Sequence, residues 1–395
     1  MIEPSELERL LAQGRGAGWL AARELGEPAI ELVLRCVITD PRWDGQVESR
    51  DAYYASLLLA LSADPRPIVD ALVGRDPGDV ALARNVLIEL AWRGHAGALA
   101  AVVERVRAGS ETADDLWLAS DLDGSFAARV HALAGRTIAT HEAAPVRARP
   151  QLDPELGIAE LIAIATESTD TSRWHAARRL GELDQLDHAA LIDAAEAYLR
   201  SECGVPSGQR NRRGEHLRRV GWLRYLEALP AARTLPLARA WARAEWPLSL
   251  AADKLLVRHA EPEDRPLLEQ LGGEALATLD RYRLCSMVDA LARLAAPESI
   301  EFLIAVYTTI DYSYARERAC VALLAHADHL AVRPLLVEAL WDCEAGTRED
   351  ACGAVDPRAN AARLRELADD PCERPSVREA ARSCGAEPCW GTISQ

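Results

Sequence analysis

The chain says nearly the same thing twice. "WLAARELG" occupies Trp19 to Gly26 and "WHAARRLG" occupies Trp174 to Gly181, with six of eight positions identical. Such a repeat marks either a duplicated catalytic site or a structural module that must stack on copies of itself. The spacing favours the module. In the second copy Ala176, Leu180 and Leu183 recur at i, i+4 and i+7, and Trp174, Ala177 and Leu180 at i, i+3 and i+6, which is one helix face. Thr169, Asp170 or Ser172 can cap its start, Gly181 can help it end, and a second helix is predicted over 188–199. Related pairs follow: "ARERACVALLAHAD" from Ala315 leads into "LAVRPLLVEALWD", and "TREDACGAVD" from Thr347 into "RANAARLRELADD". Aligning the small residue in the middle of each first helix gives Ala251, Met287, Ala319, Ala351 and Ala380, in steps of 36, 32, 32 and 29 residues. "YYASLLLALSADPRPIVDALV" and "LARNVLIELAWRGHAGALAAVVERV" read the same way nearer the N-terminus. A period of roughly 30 to 40 residues with two helices per unit is the mark of an α-solenoid. One pair alone leaves its inner face wet, so neighbouring pairs must complete the core. The expected fold is therefore all-α, an α-solenoid of stacked antiparallel helix pairs in a right-handed superhelix.

"VREAARSCG" at 377–385, "WHAARRLG" at 174–181 and "ARERACVALL" at 315–324 resemble the HEAT-repeat superfamily, particularly the short HEAT-like units first associated with phycobilisome lyases. The resemblance runs mainly from residue 169 onward, about half of the chain. It implies an architecture and no single activity, because that family includes scaffolds, regulators, lyase subunits and a few DNA glycosylases. The expected blocks are an N-terminal repeat block over 1–141, a proline-rich joint over 142–157, a C-terminal block over 158–385 and a tail over 386–395. A long inter-repeat loop in one continuous superhelix accounts for the proline cluster equally well.

Composition narrows the function classes. Hydrophobic residues make up 49% of the chain but aromatics only 5%, which suits helices packed over small side chains. Lys254 is the only lysine, and the formal net charge of −16 opposes polyanions over most of the surface. Such a field suits solubility or a basic protein partner; nucleic acid and anionic membranes are disfavoured. No apolar run approaches the roughly 20 residues needed to span a bilayer, and "MIEPSELERLLAQG" is acidic, unlike a secretion signal. Nine cysteines, an odd number, then read as reduced thiols of a cytoplasmic protein.

The strongest local anomaly is "SGQRNRRGEHLRRVGWLRYL", Ser207 to Leu226. Arg210, Arg212, Arg213, Arg218, Arg219 and Arg224 face only Glu215 there, with Trp222 and Tyr225 among them. These guanidinium groups either pair with acids on adjacent repeats or converge on a carboxylate or phosphate of a partner. "DYSYARERAC" adds Tyr312 and Tyr314 beside Arg316 and Arg318, and Trp341 lies one helix later. Aromatic and arginine side chains are the usual anchors of protein interfaces, and tyrosines packed between repeats are the alternative. Cys320, Cys343, Cys352, Cys372, Cys384 and Cys389 are irregularly spaced without a CxxC pair, so no metal is expected; Cys320, Cys352 and Cys384 fall at core positions, and Cys389 reads as the most exposed thiol. "DLDG" at 121–124 is a fragment of a calcium loop and reads as solvated. No phosphate loop, nucleophile elbow or HExxH pair occurs, so no catalytic residue and no cofactor are assigned. The reading is a non-enzymatic, protein-binding scaffold or regulator. A glycosylase-like enzyme is the alternative; Trp341 beside Asp342 is compatible with it, but the basic groove it needs is missing.

Overall fold

The computed structural model describes residues 2–73, 75, 80–111, 116, 124–135, 153, 155–168, 171–183, 188–203 and 213–386, the side chains of 124, 213–215 and 385–386 aside. Among these residues every regular element is a helix, and no strand occurs. The fold is all-α. The helices are short, so tertiary burial of one face, not intrinsic propensity, holds each of them. Caps fix their ends where the sequence supplies them. The His95 ring accepts from Ala98 N, Asp280 Oδ1 accepts from Arg283 N at 3.2 Å, and Gly14 and Gly109 close their helices in the left-handed region.

The chain folds as two compact units, Met1–Glu142 with Ile300–Gln395, and Ala143–Ser299. The stretch 158–385, one block on sequence spacing, is thus shared between both units, and most of the 142–157 joint lies outside the described residues.

The discontinuous unit begins with α1 (Pro4–Gln13), α2 (Gly16–Leu25), α3 (Ile30–Thr39), α4 (Asp51–Ala60), α5 (Arg66–Ala71), α6 (Ala81–Trp92), α7 (Ala96–Ala108) and α8 (Gly124–Leu133). Packing runs from α2 to α4 to α6, with α1, α3 and α5 each beside the helix that follows. The central unit holds α9 (Ile158–Glu167), α10 (Ser172–Gly181), α11 (Ala189–Ser201), α12 (Arg213–Ala228), α13 (Ala231–Trp241), α14 (Leu248–His259), α15 (Arg265–Thr278) and α16 (Arg281–Leu294). Here α10, α12, α14 and α16 touch in succession, flanked by α9, α11, α13 and α15. The discontinuous unit resumes with α17 (Ile300–Thr309), α18 (Ser313–Leu324), α19 (Arg333–Ala339), α20 (Ala345–Ala354), α21 (Ala361–Asp369) and α22 (Pro375–Ala386), and packing passes from α18 to α20 to α22.

The aligned repeat positions explain this alternation. Ala251 on α14, Met287 on α16, Ala319 on α18 and Ala351 on α20 are each 0% exposed, and a small or flexible residue there admits the neighbouring helix. On α22 the register slips by one: Ala380 is half-buried and Ala381 takes the core place. The duplicated octapeptide diverges in its last residue. Gly26 adopts φ +73° and turns the chain away from α2. Gly181 stays helical, and a Cβ there would lie 2.6 Å from both Ala228 Cβ and Tyr225 O. Its role is close approach of α10 and α12, not a left-handed stop.

Candidate functional site

In the discontinuous unit the N-terminal helices dock on the C-terminal ones through a buried ionic seam. The α1–α2 turn lies so close to α19 and the chain after it that a Cβ on Gly16 would clash with Glu338 O, and Cys343 N donates to Gly14 O at 2.9 Å. Arg15 grips Glu338 with two bonds of 2.9 and 2.8 Å and gives a third to Thr308 O. Arg50, fully buried, donates to Glu48 Oε2 at 2.5 Å, to Asp311 O at 2.9 Å and to Ala12 O. Glu48 in turn accepts from Trp43 N and Asp44 N, and from both the backbone N and hydroxyl of Ser313.

Ser313 sits between two carboxylates with a single hydroxyl hydrogen. Its Oγ lies 3.0 Å from Glu48 Oε2 and 2.5 Å from Glu344 Oε1. A proton on Glu344 satisfies both contacts, since Glu344 then donates to Ser313 and Ser313 to Glu48. Burial, with Asp342 beside it, pushes the Glu344 carboxyl up to about 7. Burial raises Glu89 to about 7 in the same unit, where Arg93 spans Glu89 and Asp370.

Two further buried arginines follow one rule. Arg316 stands three residues before Ala319 and makes a two-bond pair with Asp342 at 2.8 and 3.1 Å. Arg348 stands three residues before Ala351 and pairs with Glu373 at 2.9 and 2.7 Å. Each acid lies 26 or 25 residues downstream of its arginine, near the start of the next first helix. Each pair holds its carboxylate by two bonds and is buried away from any ligand, although one Arg316 Nη is buried without a partner.

The outer surface is different. Rings run from Trp43, 43% exposed, to Tyr312 at 5.0 Å and on to Tyr314 at 5.9 Å, and the Arg318 guanidinium covers Tyr314 at 4.4 Å. Tyr314, Glu317, Arg318 and the exposed Val321 form the solvent side of α18, because Ala315, Arg316, Ala319, Cys320, Ala322 and Leu323 occupy its buried side. Glu349 and Asp350 continue this face on α20, and a Cβ on Gly346 would meet the Glu317 carboxylate. Burial and the nearby Asp342 and Asp350 raise the Glu317 pKa; burial and Glu349 raise that of Asp350. Among the described residues none of Glu317, Glu349 and Asp350 has an ion-pair partner.

The residues singled out from sequence scatter over these settings. Arg210 and Arg212 lie outside the described residues, and Arg213 opens α12 with its side chain likewise outside them. Arg218 is exposed and lies 5.8 Å over the Tyr198 ring. Arg219 is 7% exposed, bound to Glu202 at 3.2 Å and stacked on Trp246 at 4.6 Å, which makes it a structural residue in this conformation. Trp222 is half-buried, edge-on to Tyr225, whose own ring neighbours His188. Tyr312 is 0% exposed, sealed by the loop that carries Trp43, so it buttresses the ridge and Tyr314 presents it. Trp341 is half-buried against Trp19, with Arg363 over both rings. Cys320 and Cys352 are buried core thiols and Cys384 is half-buried; the described cysteines form no disulfide with one another, and Cys389 lies outside the described residues, as do residues 121–123 of the "DLDG" stretch. Among the described residues no group of three His, Cys, Asp or Glu side chains is placed to hold a metal. No single described helix is long and apolar enough to cross a membrane. No family model, curated protein or solved structure matches this chain.

Proposed function

We propose that the chain is a HEAT-like helical-repeat scaffold of the cytoplasm that binds a basic protein partner without catalysing a reaction. The succession of first helices in each unit supports the repeat reading. One observation carries the binding reading: the joint outer face of α18 and α20, where Tyr314, Val321 and the nearby Trp43 lie beside Glu317, Glu349 and Asp350. Half-buried carboxylates crowded by their own kind are stabilised by an incoming Lys or Arg, and tyrosine and tryptophan supply area at small entropic cost. The seam beneath holds this face rigid, so little ordering opposes association.

The test is affinity capture from source lysate at low and moderate salt, followed by reconstitution with the purified partner. Wild type runs beside Glu317→Gln with Asp350→Asn, and beside Tyr314→Ala. The expected result is one stoichiometric basic protein, released as salt rises and bound about tenfold more weakly by each variant. Recovery of nucleic acid, or a partner indifferent to all three substitutions, overturns the reading.

A further inference from the structure

Six arginines are buried among the described residues: Arg15, Arg50, Arg173, Arg219, Arg316 and Arg348. Five of them hold a carboxylate, namely Glu338, Glu48, Glu202, Asp342 and Glu373 in that order. Arg173 is the exception. It is 3% exposed, and among the described residues no acid reaches it. One Nη donates to Thr166 O at 2.7 Å, its Nε is buried without a partner, and the other Nη is not enclosed. Burial, then the neighbouring Arg218, lowers its pKa.

The repeat pattern shows what is missing. Arg173 stands three residues before the buried Ala176, as Arg316 stands before Ala319 and Arg348 before Ala351. Those two arginines find their acid 26 and 25 residues downstream, whereas the residue 25 beyond Arg173 is Tyr198. The next acid, Glu202, is already engaged by the Tyr198 hydroxyl at 2.5 Å and by Arg219 at 3.2 Å. Gly221 leaves the Arg173 stem room against α12, where a Cβ would come within 3.0 Å of Arg173 Cγ. Arg218, one turn earlier on α12, is exposed, lies over the Tyr198 ring and has no acid of its own among the described residues.

We propose that Arg173 and Arg218 form an oxyanion site in the central unit, built to receive a phosphate group where neighbouring repeats supply an internal carboxylate. Two guanidinium groups match a compact dianion better than a single carboxylate; Arg218 offers paired donors to its oxygens and Arg173 its open Nη. A buried guanidinium with no acid beside it among the described residues is costly, so an external anion offsets that cost. The site belongs to the central unit, and its reading does not depend on the acidic face of α18 and α20.

Inorganic phosphate is the probe, titrated calorimetrically into the full chain at constant ionic strength, with acetate and chloride as comparison anions. Wild type should show saturable binding at one site per chain. Arg218→Gln, at an exposed position that leaves the fold intact, should weaken it about tenfold, the worth of one charge-assisted contact. Arg224→Gln, on the same helix but paired with Glu227, should leave it unchanged. Arg173→Gln is informative only if its far-ultraviolet circular dichroism matches wild type; it should then abolish binding. Absence of saturable phosphate binding, equal binding of acetate, or equal losses in the Arg218 and Arg224 variants overturns the proposal.

Discussion

Glu344 exchanges its charge for a place between Ser313 and the backbone of Ser49, and the consequence for stability has a definite sign. Its pKa rises from 4.5 to about 7 on folding, chiefly through burial. Between those values the folded chain keeps a proton that the unfolded chain has released, so stability falls as pH climbs from about 4.5 to about 7 and is level above that. The shift corresponds to about 3 kcal/mol at pH 8, taken as an upper figure. Glu344→Gln keeps a neutral group of the same shape. It should therefore gain about 1 to 3 kcal/mol over wild type at pH 8 and close to nothing at pH 5. Urea unfolding at the two pH values decides; an equal loss at both would show that Glu344 works as a carboxylate. Part of this seam is legible in sequence, because Arg316 and Arg348 each interrupt the apolar face of a periodic helix, where a charge must have a partner. Glu48 and Arg50 are not legible: "VESRD" looks like any polar turn, and its contact with Ser313 spans 265 residues. The Arg218 anomaly is visible as composition, but that Arg219 holds an acid and Arg173 holds none among the described residues depends on side-chain geometry.

Helices pack at a distance set by the residues between them, and two glycines test this in opposite directions. Gly181 lies where α10 meets α12, and an added Cβ would overlap Ala228 and the Tyr225 carbonyl. Gly181→Ala should cost about 1 to 3 kcal/mol because the obstacle includes backbone. Gly273, inside α15, meets nothing within 4 Å. Gly273→Ala should stabilise by about 0.5 to 1 kcal/mol through helix propensity alone. Thermal or urea unfolding of both variants checks the pair, and a loss at Gly273 or a gain at Gly181 contradicts this packing. At this scale the sequence is most informative. Spacing of 3.6 residues identifies the helices and places Ala251, Met287, Ala319 and Ala351 in the core. It misses the one-residue slip at Ala380 because alanines stand at both candidate positions, and only the neighbouring helix chooses between them.

Repeat spacing finds modules, but it does not say which distant modules share a unit, and here the two termini of the chain belong together. The segment Ala143–Ser299 contains its own succession of packed helices, so expressed alone it should be helical and melt cooperatively. Met1–Glu142 is in a different position. Cut from Ile300 onward, it leaves Arg15 without Glu338 and Thr308 O, and Arg50 without Asp311 O, while Glu48 loses Ser313. Breaking one buried pair costs roughly 3 to 5 kcal/mol, a large part of the stability of a domain this size. Removal of the C-terminal helices also bares apolar surface on α2 and the α1–α2 turn. The fragment 1–142 should therefore show no cooperative transition by circular dichroism and should regain one when 300–395 is added in trans. A fragment 1–142 that melts alone at the midpoint of the intact chain would show that the seam contributes nothing to folding. Arg316→Ala in the full chain supplies the complementary measurement: it should destabilise the discontinuous unit by about 3 to 5 kcal/mol, because Asp342 then remains buried with its charge unmatched.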